Sequence, residues 1–319
     1  MNEFYNKRVL VTGGTGLVGR QVVDLLVKGG AILVIASFDE LKQHSHERYY
    51  RKDLTIYENA VEVVQEQEYV FHLAGVKASP KITLEHGDLM SDITLSLGQN
   101  IIKACCEAKV ENVLFTSSIG AYTEAELLKE EDALMGRAMD APGEAKRKVE
   151  KLIQRYYNEF GLTYKVVRLA NVYGIGDNFD TENGMFIPSL MAKVLRGDNP
   201  VEVWGDGRQV RDFIYSKDAA RGIIHVMLNA TDCKPINIGS GMEYTVKDVV
   251  TAMSQLTEFN VKYDKTKPTG VAKRVLDVSK AKSLGFEAQY SLNDGLKETW
   301  EWFKANSDEY KKRLNYFAE

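Results

Sequence analysis

The sequence is poor in cysteine, carries no excess of either charge and contains no long apolar run. Its 319 residues include three cysteines, Cys105, Cys106 and Cys233. Two of them are adjacent in an apolar helical stretch, and no paired C-x-x-C spacing is present to hold zinc. That pattern argues against a disulfide scaffold, so reduced core thiols and no bound metal are the expectation. The 41 basic residues are nearly balanced by 45 acidic ones, a net charge of −4. No positive field is available to hold a phosphate backbone, so neither nucleic acid nor a membrane surface is an expected partner. The longest apolar run, around Ala31 to Phe38, is far too short to span a bilayer. No basic stretch leads into an apolar one at the start, and a soluble cytoplasmic protein is expected. Internal repeats and low-complexity linkers are also missing.

What the sequence does have is alternation. Arg8 to Thr12 is a short β-branched apolar run, as a strand buried on both faces should be. Similar runs recur at Ile32 to Ile35, Tyr69 to Leu73, Val113 to Thr116 and Tyr164 to Arg168. Helical spacing fills the intervals, at Gln21 to Lys28, Leu89 to Lys109 and Glu144 to Glu159. This order predicts an α/β fold, a Rossmann-type doubly wound parallel sheet. After Gly174 the pieces shorten. Strands are expected at Val201 to Trp204, Asp212 to Tyr215 and Ile236 to Ile238. Helices are expected at Phe186 to Arg196, Asp218 to Leu228, Val246 to Leu256 and Leu292 to Asn306. Residues 1–174 then form a dinucleotide-binding domain, and 175–319 form a smaller α/β substrate lobe that recrosses to it. A ligand would sit between the two.

Thr12-Gly-Gly-Thr-Gly-Leu-Val-Gly19 follows the first expected strand and opens a helix. One glycine permits the tight turn, one lets the backbone approach a pyrophosphate, and one lets the helix pack on the sheet. The free N–H groups of the helix start then face the phosphates. Gly13, Gly16, Leu17, Val18 and Gly19 are the expected cofactor contacts. In an NAD site an acid at the tip of the second strand takes the adenosine ribose. Here Ser37 holds that position and Asp39 follows two residues later. No arginine lies in this loop to hold a 2′-phosphate, although Arg20 is near in sequence, so NAD is expected ahead of NADP.

These glycines, with several later motifs, resemble the extended short-chain dehydrogenases/reductases, the nucleotide-sugar epimerase/dehydratase group. The resemblance runs from about residue 7 to 305. Asp53-Leu54 is similar to the pair that contacts adenine. His72-Leu-Ala-Gly75 resembles the third-strand motif along the cofactor, which implies contacts from Leu73, Ala74 and Gly75. Thr116-Ser-Ser118 followed by Tyr122 resembles the fourth-strand motif, whose last serine contacts the sugar. Arg168-Leu-Ala-Asn-Val-Tyr-Gly174 resembles Arg-Pro-x-Asn-Val-Tyr-Gly, with Leu169 in place of proline and beside the cofactor. Trp204-Gly-Asp-Gly207 and Arg211-Asp-Phe-Ile-Tyr215 resemble substrate-lobe signatures.

The group's hydride chemistry uses Tyr-x-x-x-Lys on one helical face. The lysine grips the nicotinamide ribose and lowers the tyrosine pKa, and the tyrosine moves the hydroxyl proton. Lys146 fits the lysine and Glu150 the glutamate four residues on, but the tyrosine position is Pro142. Proline carries no proton, and it suits the first turn of a helix capped by Asp140. Three substitutes stand open as proton carriers: Tyr122, Ser118 and Lys77. A lysine desolvated just after the third-strand motif could titrate near neutrality, although Lys77 could equally contact phosphate or sugar without moving a proton.

Lys267 to Asp277 and Asp177-Asn-Phe-Asp-Thr-Glu-Asn183 resemble segments of the GDP-fucose synthase group. Arg211 and Arg274 suit the two phosphates of a nucleotide diphosphate, because a guanidinium fork matches phosphate geometry. Asn171, Asn183, Trp204, Lys77 and Ser118 complete the expected substrate set. The sequence lacks the Thr-Asp-Glu expected of a 4,6-dehydratase after the fourth strand. The favoured reading is NAD-dependent oxidation or reduction at C4 of a GDP-sugar of the mannose-type hexose or heptose class. It resembles the GDP-heptose 4-dehydrogenases of bacterial capsular polysaccharide pathways. A second reading is a C4 or C3/C5 epimerase, and a third is a catalytically silent nucleotide-sugar binding protein. The resemblance also implies a homodimer through the two long helices, Leu89 to Lys109 and Glu144 to Glu159, with a tetramer open.

Overall fold

The computed structural model describes residues 2–38, 48–134, 136–267 and 269–308. Its strands are β1 (Arg8–Thr12), β2 (Ile32–Ser37), β3 (Arg48–Arg51), β4 (Tyr69–His72), β5 (Asn112–Ser118), β6 (Leu127–Leu128), β7 (Lys165–Leu169) and β8 (Asn171–Tyr173). They continue as β9 (Val201–Trp204), β10 (Val210–Arg211), β11 (Phe213–Tyr215), β12 (Ile236–Ile238), β13 (Tyr244–Thr245), β14 (Val261–Asp264) and β15 (Lys273–Leu276). The helices are α1 (Leu17–Lys28), α2 (Tyr57–Val64), α3 (Pro80–Glu85), α4 (Gly87–Glu107) and α5 (Ala141–Phe160). They are followed by α6 (Phe186–Arg196), α7 (Ser216–Asn229), α8 (Val246–Ser254), α9 (Ser279–Ser283) and α10 (Leu292–Ala305).

The central sheet has seven strands in the order β12-β7-β5-β4-β1-β2-β3. Every pairing in it is parallel. The order reverses between β1 and β4, which opens a crevice at the carboxyl ends of those strands, where doubly wound sheets bind ligands. After their exposed first residues, β1 and β2 are buried throughout, as their unbroken apolar runs demand. One apolar cluster joins α1 and α7 to one sheet face through Val22, Leu26, Ile223 and Met227. A second packs α2, α4 and α5 on the other face through Val63, Ile101, Val149 and Ile153. The Rossmann-type α/β expectation holds.

Later elements build smaller sheets, β13-β10-β15-β6, β11-β8 and β14-β9. A third cluster, including Phe179, Leu190, Val201, Met253 and Phe303, lies among α6, α8, α10 and these strands. Phe179 stacks on Phe303 with ring centroids 3.9 Å apart. The late strand β12 returns to the edge of the central sheet beside β7. Cys105 and Cys233 are buried and Cys106 half-buried, all three free. Among the described residues no helix is long and apolar enough to cross a membrane, and no cluster of metal-ligating side chains occurs.

Candidate functional site

The glycine turn is tight enough to explain its composition. A Cβ on Gly19 would lie 2.1 Å from the Gly13 carbonyl oxygen, and one on Gly13, where φ is +68°, would lie 2.8 Å from Ala74 Cα. Gly16 caps α1 without a side-chain hydrogen bond, so the first N–H groups of α1, from Leu17 and Val18 onward, keep no side-chain acceptor at their cap. A dinucleotide pyrophosphate fits this cradle. Sequence reading missed Thr15, whose hydroxyl is 2.5 Å from that of buried Ser37 and ties the turn to the tip of β2. Ser37 lies in register with Arg51 of β3. Asp39 lies outside the described residues. Asp53 Oδ1 accepts from the Thr55 N–H and hydroxyl at 2.9 and 2.6 Å and shapes the entry to α2, while Leu54 is buried beside it. Arg20 turns away to the lobe side, against Gly176 and over the Trp302 ring.

The third-strand motif closes over the turn. The Ala74 N–H donates to Thr12 Oγ1 at 3.2 Å, and that hydroxyl lies 2.7 Å from His72 Nδ1. Burial, aided by the Lys146 charge, pulls the His72 pKa down to about 3, so the ring is neutral and structural. Leu73 is half-buried and Gly75 exposed. A Cβ on Gly75 would lie 3.5 Å from Lys146 Nζ. That ammonium donates to the Thr116 carbonyl at 2.6 Å and sits 4.8 Å above the Phe115 ring. Burial lowers its pKa to about 8, opposed by Glu150.

Helix α5 is held on several sides, which fixes Lys146. Asp140 caps it by accepting from the Gly143 N–H at 2.7 Å, and Pro142 is the second helical residue. Buried Arg147 donates to the Ala121 and Gly136 carbonyls and to Thr123 Oγ1. Glu150 grips Arg168 of β7 with two hydrogen bonds, 3.1 and 2.6 Å, in the interior. A buried, bidentate ion pair of this kind fixes geometry more than it adds stability. Glu150 and Arg168 therefore serve the scaffold.

The three substitutes for the absent tyrosine separate in space. Tyr122 is 1% exposed, its hydroxyl donates to Asn237 Oδ1 at 2.6 Å, and the Arg168 guanidinium lies over its ring. Burial pushes its pKa far up. The expectation of a reactive Tyr122 is corrected: it is a core residue with no open face. Lys77 Nζ donates to the Val172 carbonyl at 3.2 Å and pairs with buried Asp177 at 3.4 Å, so it clamps the third-strand loop to β8. Ser118 is half-buried at the end of β5, in register with Leu169, and its Oγ accepts from the Gly120 N–H at 3.1 Å.

The expected substrate residues converge from distant segments. Arg211 on β10 and Arg274 on β15 are direct partners across a parallel pairing. Burial, with the Arg274 charge adding to it, lowers Arg211 to about 10. Two neighbouring cations under mutual repulsion make a receptor for an anion. Arg274 donates to Asn171 Oδ1 and to Met139 Sδ, each at 3.4 Å, and its buried Nε has no hydrogen-bond partner among the described residues. Asn171 Nδ2 donates to the Asp212 carbonyl at 2.8 Å. Arg211 donates to the Thr269 carbonyl at 3.2 Å, and the Thr269 side chain packs at Gly205, next to Trp204. Trp204 is 39% exposed with Lys267 Nζ 5.8 Å from its ring. Asn183 is held by its N–H on Asp180 Oδ1 at 3.0 Å, and its own buried Oδ1 has no partner among the described residues. Asp177 to Asp180 form the turn that carries it, with Phe179 in the core.

Known proteins match along nearly the whole chain. The chain is 28% identical over 314 residues to GDP-L-fucose synthase 1 of Arabidopsis thaliana, covering 94% of both. It is 30% identical over 318 residues to UDP-N-acetyl-alpha-D-glucosaminuronate decarboxylase of Bacillus cytotoxicus, covering 93% of this chain and 98% of the relative. The crystal structure of UDP-glucose 4-epimerase from Thermotoga maritima, with UDP-glucose, superposes with a TM-score of 0.82 at 28% identity, covering 94% of this chain and 99% of that one. The family model described as NAD dependent epimerase/dehydratase matches residues 9–239, and the chain belongs to that family.

Proposed function

We propose that the chain oxidises or reduces C4 of a GDP-linked sugar of the mannose-type hexose or heptose class, with NAD as cofactor. Such a step belongs to the making of precursors for bacterial polysaccharide. The observation that carries the reading is Arg274. It is the cross-strand partner of Arg211, and its guanidinium reaches both Asn171 and Met139, the residue before the Asp140 cap of α5. A diphosphate on the arginine pair would therefore lie beside the start of the helix that carries Lys146. Trp204 would line the base or ribose pocket, and Asn171 and Asn183 would meet the phosphate or the sugar.

The residues fit the dinucleotide. Gly13, Gly16 and Gly19 with the start of α1 would hold the pyrophosphate, Ser37 and Asp53 the adenosine end, and Ala74, Gly75, Leu169 and Lys146 the nicotinamide end. Bound there, nicotinamide supplies the two-electron acceptor or donor. Ser118 would orient the C4 hydroxyl and Lys77 the sugar side of the third-strand loop. GDP is favoured over UDP by the fucose-synthase-like segment Lys267 to Asp277, which contains Arg274. Assembly belongs to the same reading: α4 and α5 lie side by side and would meet the same pair of a second copy.

One observation favours a silent binding protein instead: Pro142 has no proton to give where the group's mechanism needs one. Turnover separates the two. The purified chain is mixed with NAD+ and, in turn, GDP-mannose, a GDP-heptose and UDP-glucose, and nicotinamide absorbance is followed with mass analysis of the sugar. The proposal expects reduced cofactor and a 4-keto sugar from a GDP substrate. Tight binding of all partners with no conversion would leave the silent reading.

A further inference from the structure

The missing proton acceptor has a replacement two residues before Pro142. Asp140 Oδ1 accepts the Gly143 N–H and caps α5, and among the described residues Oδ2 makes no hydrogen bond. A Cβ on Gly120 would meet Asp140 Oδ2 at 2.7 Å, and the Gly120 N–H in turn donates to Ser118 Oγ at 3.1 Å. The carboxylate thus lies against the turn that follows the serine expected to hold the sugar hydroxyl. Arg274 feels this carboxylate: burial lowers that guanidinium, and the Asp140 charge opposes the shift. Asp140 also lines an open cavity of about 460 Å³ with Gly136, Arg137, Ala138, Ala141 and Glu144, which gives a proton a route to water. Three rivals are committed elsewhere, and Ser118 is kept for orienting the hydroxyl. Tyr122 is bonded to Asn237, Lys77 to Asp177 and Val172, and Lys146 to Thr116.

We infer that the Asp140 carboxylate takes the hydroxyl proton when the C4 alcohol is oxidised, and returns it when the ketone is reduced. This rests on the nicotinamide-linked reading above. In the oxidative direction the C4–H bond breaks and its electron pair leaves with the hydrogen to NAD+. The O–H bond breaks, the C=O double bond forms, and Asp140 becomes a carboxylic acid. That acid then gives its proton to water through the cavity. Products are the 4-keto sugar, NADH and one proton, so atoms and electrons balance.

Asp140→Asn is the direct test, because asparagine caps helices as well as aspartate and the start of α5 survives. The variant is compared with the wild type by calorimetric binding of NADH and of GDP-mannose, by thermal midpoint, and by turnover on whichever GDP-sugar the wild type converts. The expected result is a fall in kcat of about 100-fold or more, the cost of losing a general base, with NADH affinity and the midpoint held and GDP-mannose bound no more weakly. Wild-type kcat in Asp140→Asn would overturn the proton role and leave the oxidoreductase reading standing. Loss of binding or of thermal stability equal to the loss of rate would also overturn it, by making Asp140 a structural cap. A wild type that converts no nucleotide sugar would fail the underlying reading itself and take this inference with it.

Discussion

Lys146 combines a charged head with surroundings that oppose charge. Its ammonium sits over the Phe115 ring and holds one carbonyl, and burial brings its pKa down to about 8. The protonated form is therefore complete only below about pH 8. In the unfolded chain the same group would hold its proton to about 10.5, so between these values the unfolded state binds more proton and stability rises with pH. On the proposed role, cofactor binding would run the other way, because the charged form would hold the ribose. Affinity for NADH, read by fluorescence titration, is expected to be flat below pH 8 and to fall as pH rises through it. Lys146→Met should weaken binding roughly 10- to 100-fold, the worth of hydrogen bonds from a charged group, and should abolish that pH dependence. A wild-type profile flat from pH 6 to 10 would remove Lys146 from the cofactor site. Residue-level chemistry is also where sequence reading was least reliable. Tyr122 stands in a motif that suggests reactivity, but its burial against Asn237 depends on β12, far along the chain. In the sequence Asp140 reads only as a cap, since nothing there places it against Gly120.

Elements were more legible where packing imposes a period. The buried strand β1, the alternating strand β9 and the amphipathic helix α6 occupy the ranges that hydrophobic spacing assigns. The edge strand β3 gave no such signal: Arg48-Tyr-Tyr-Arg51 is polar at its ends and nowhere fully buried. The two-residue strands β6, β10 and β13 are too short for any period. Yet β10 and β15 are what bring Arg211 and Arg274 together, from segments far apart in sequence. Helix α5 starts at Ala141, as the expected Asp140 cap and first-turn Pro142 require, three residues ahead of the helical spacing that begins at Glu144. Its docking onto the 119–121 turn explains Gly143. A Cβ there would lie 2.1 Å from the Gly120 carbonyl oxygen, a backbone atom with little room to yield. Gly143→Ala should cost about 1–3 kcal/mol of stability, in the range for overpacking, seen as a lower urea midpoint at unchanged m-value. An unchanged midpoint would mean that α5 is not seated against this turn.

At the scale of the molecule, the proposed function needs two groups of residues to face one crevice. The glycine turn, Ala74 and Lys146 come from the central sheet and its helices, whereas Arg211, Arg274 and Trp204 come from the later strands. Polar links between early and late segments include Lys77 with Asp177 and Arg274 with Met139. The outer face of α5 carries exposed Lys148, Lys151 and Arg155, while Tyr157 and Phe160 are the apolar residues near its end, so a dimer through this face would be partly charged. The central claim is that the two groups bring a sugar C4 to nicotinamide. It is tested most directly with a GDP-mannose-type substrate carrying deuterium at C4, incubated with NAD+ and the wild-type chain. The account predicts that the deuterium appears in the reduced cofactor and that the sugar is recovered as its 4-ketone. Reduced cofactor without deuterium, or deuterium retained on an unchanged sugar while both ligands are bound, would contradict it.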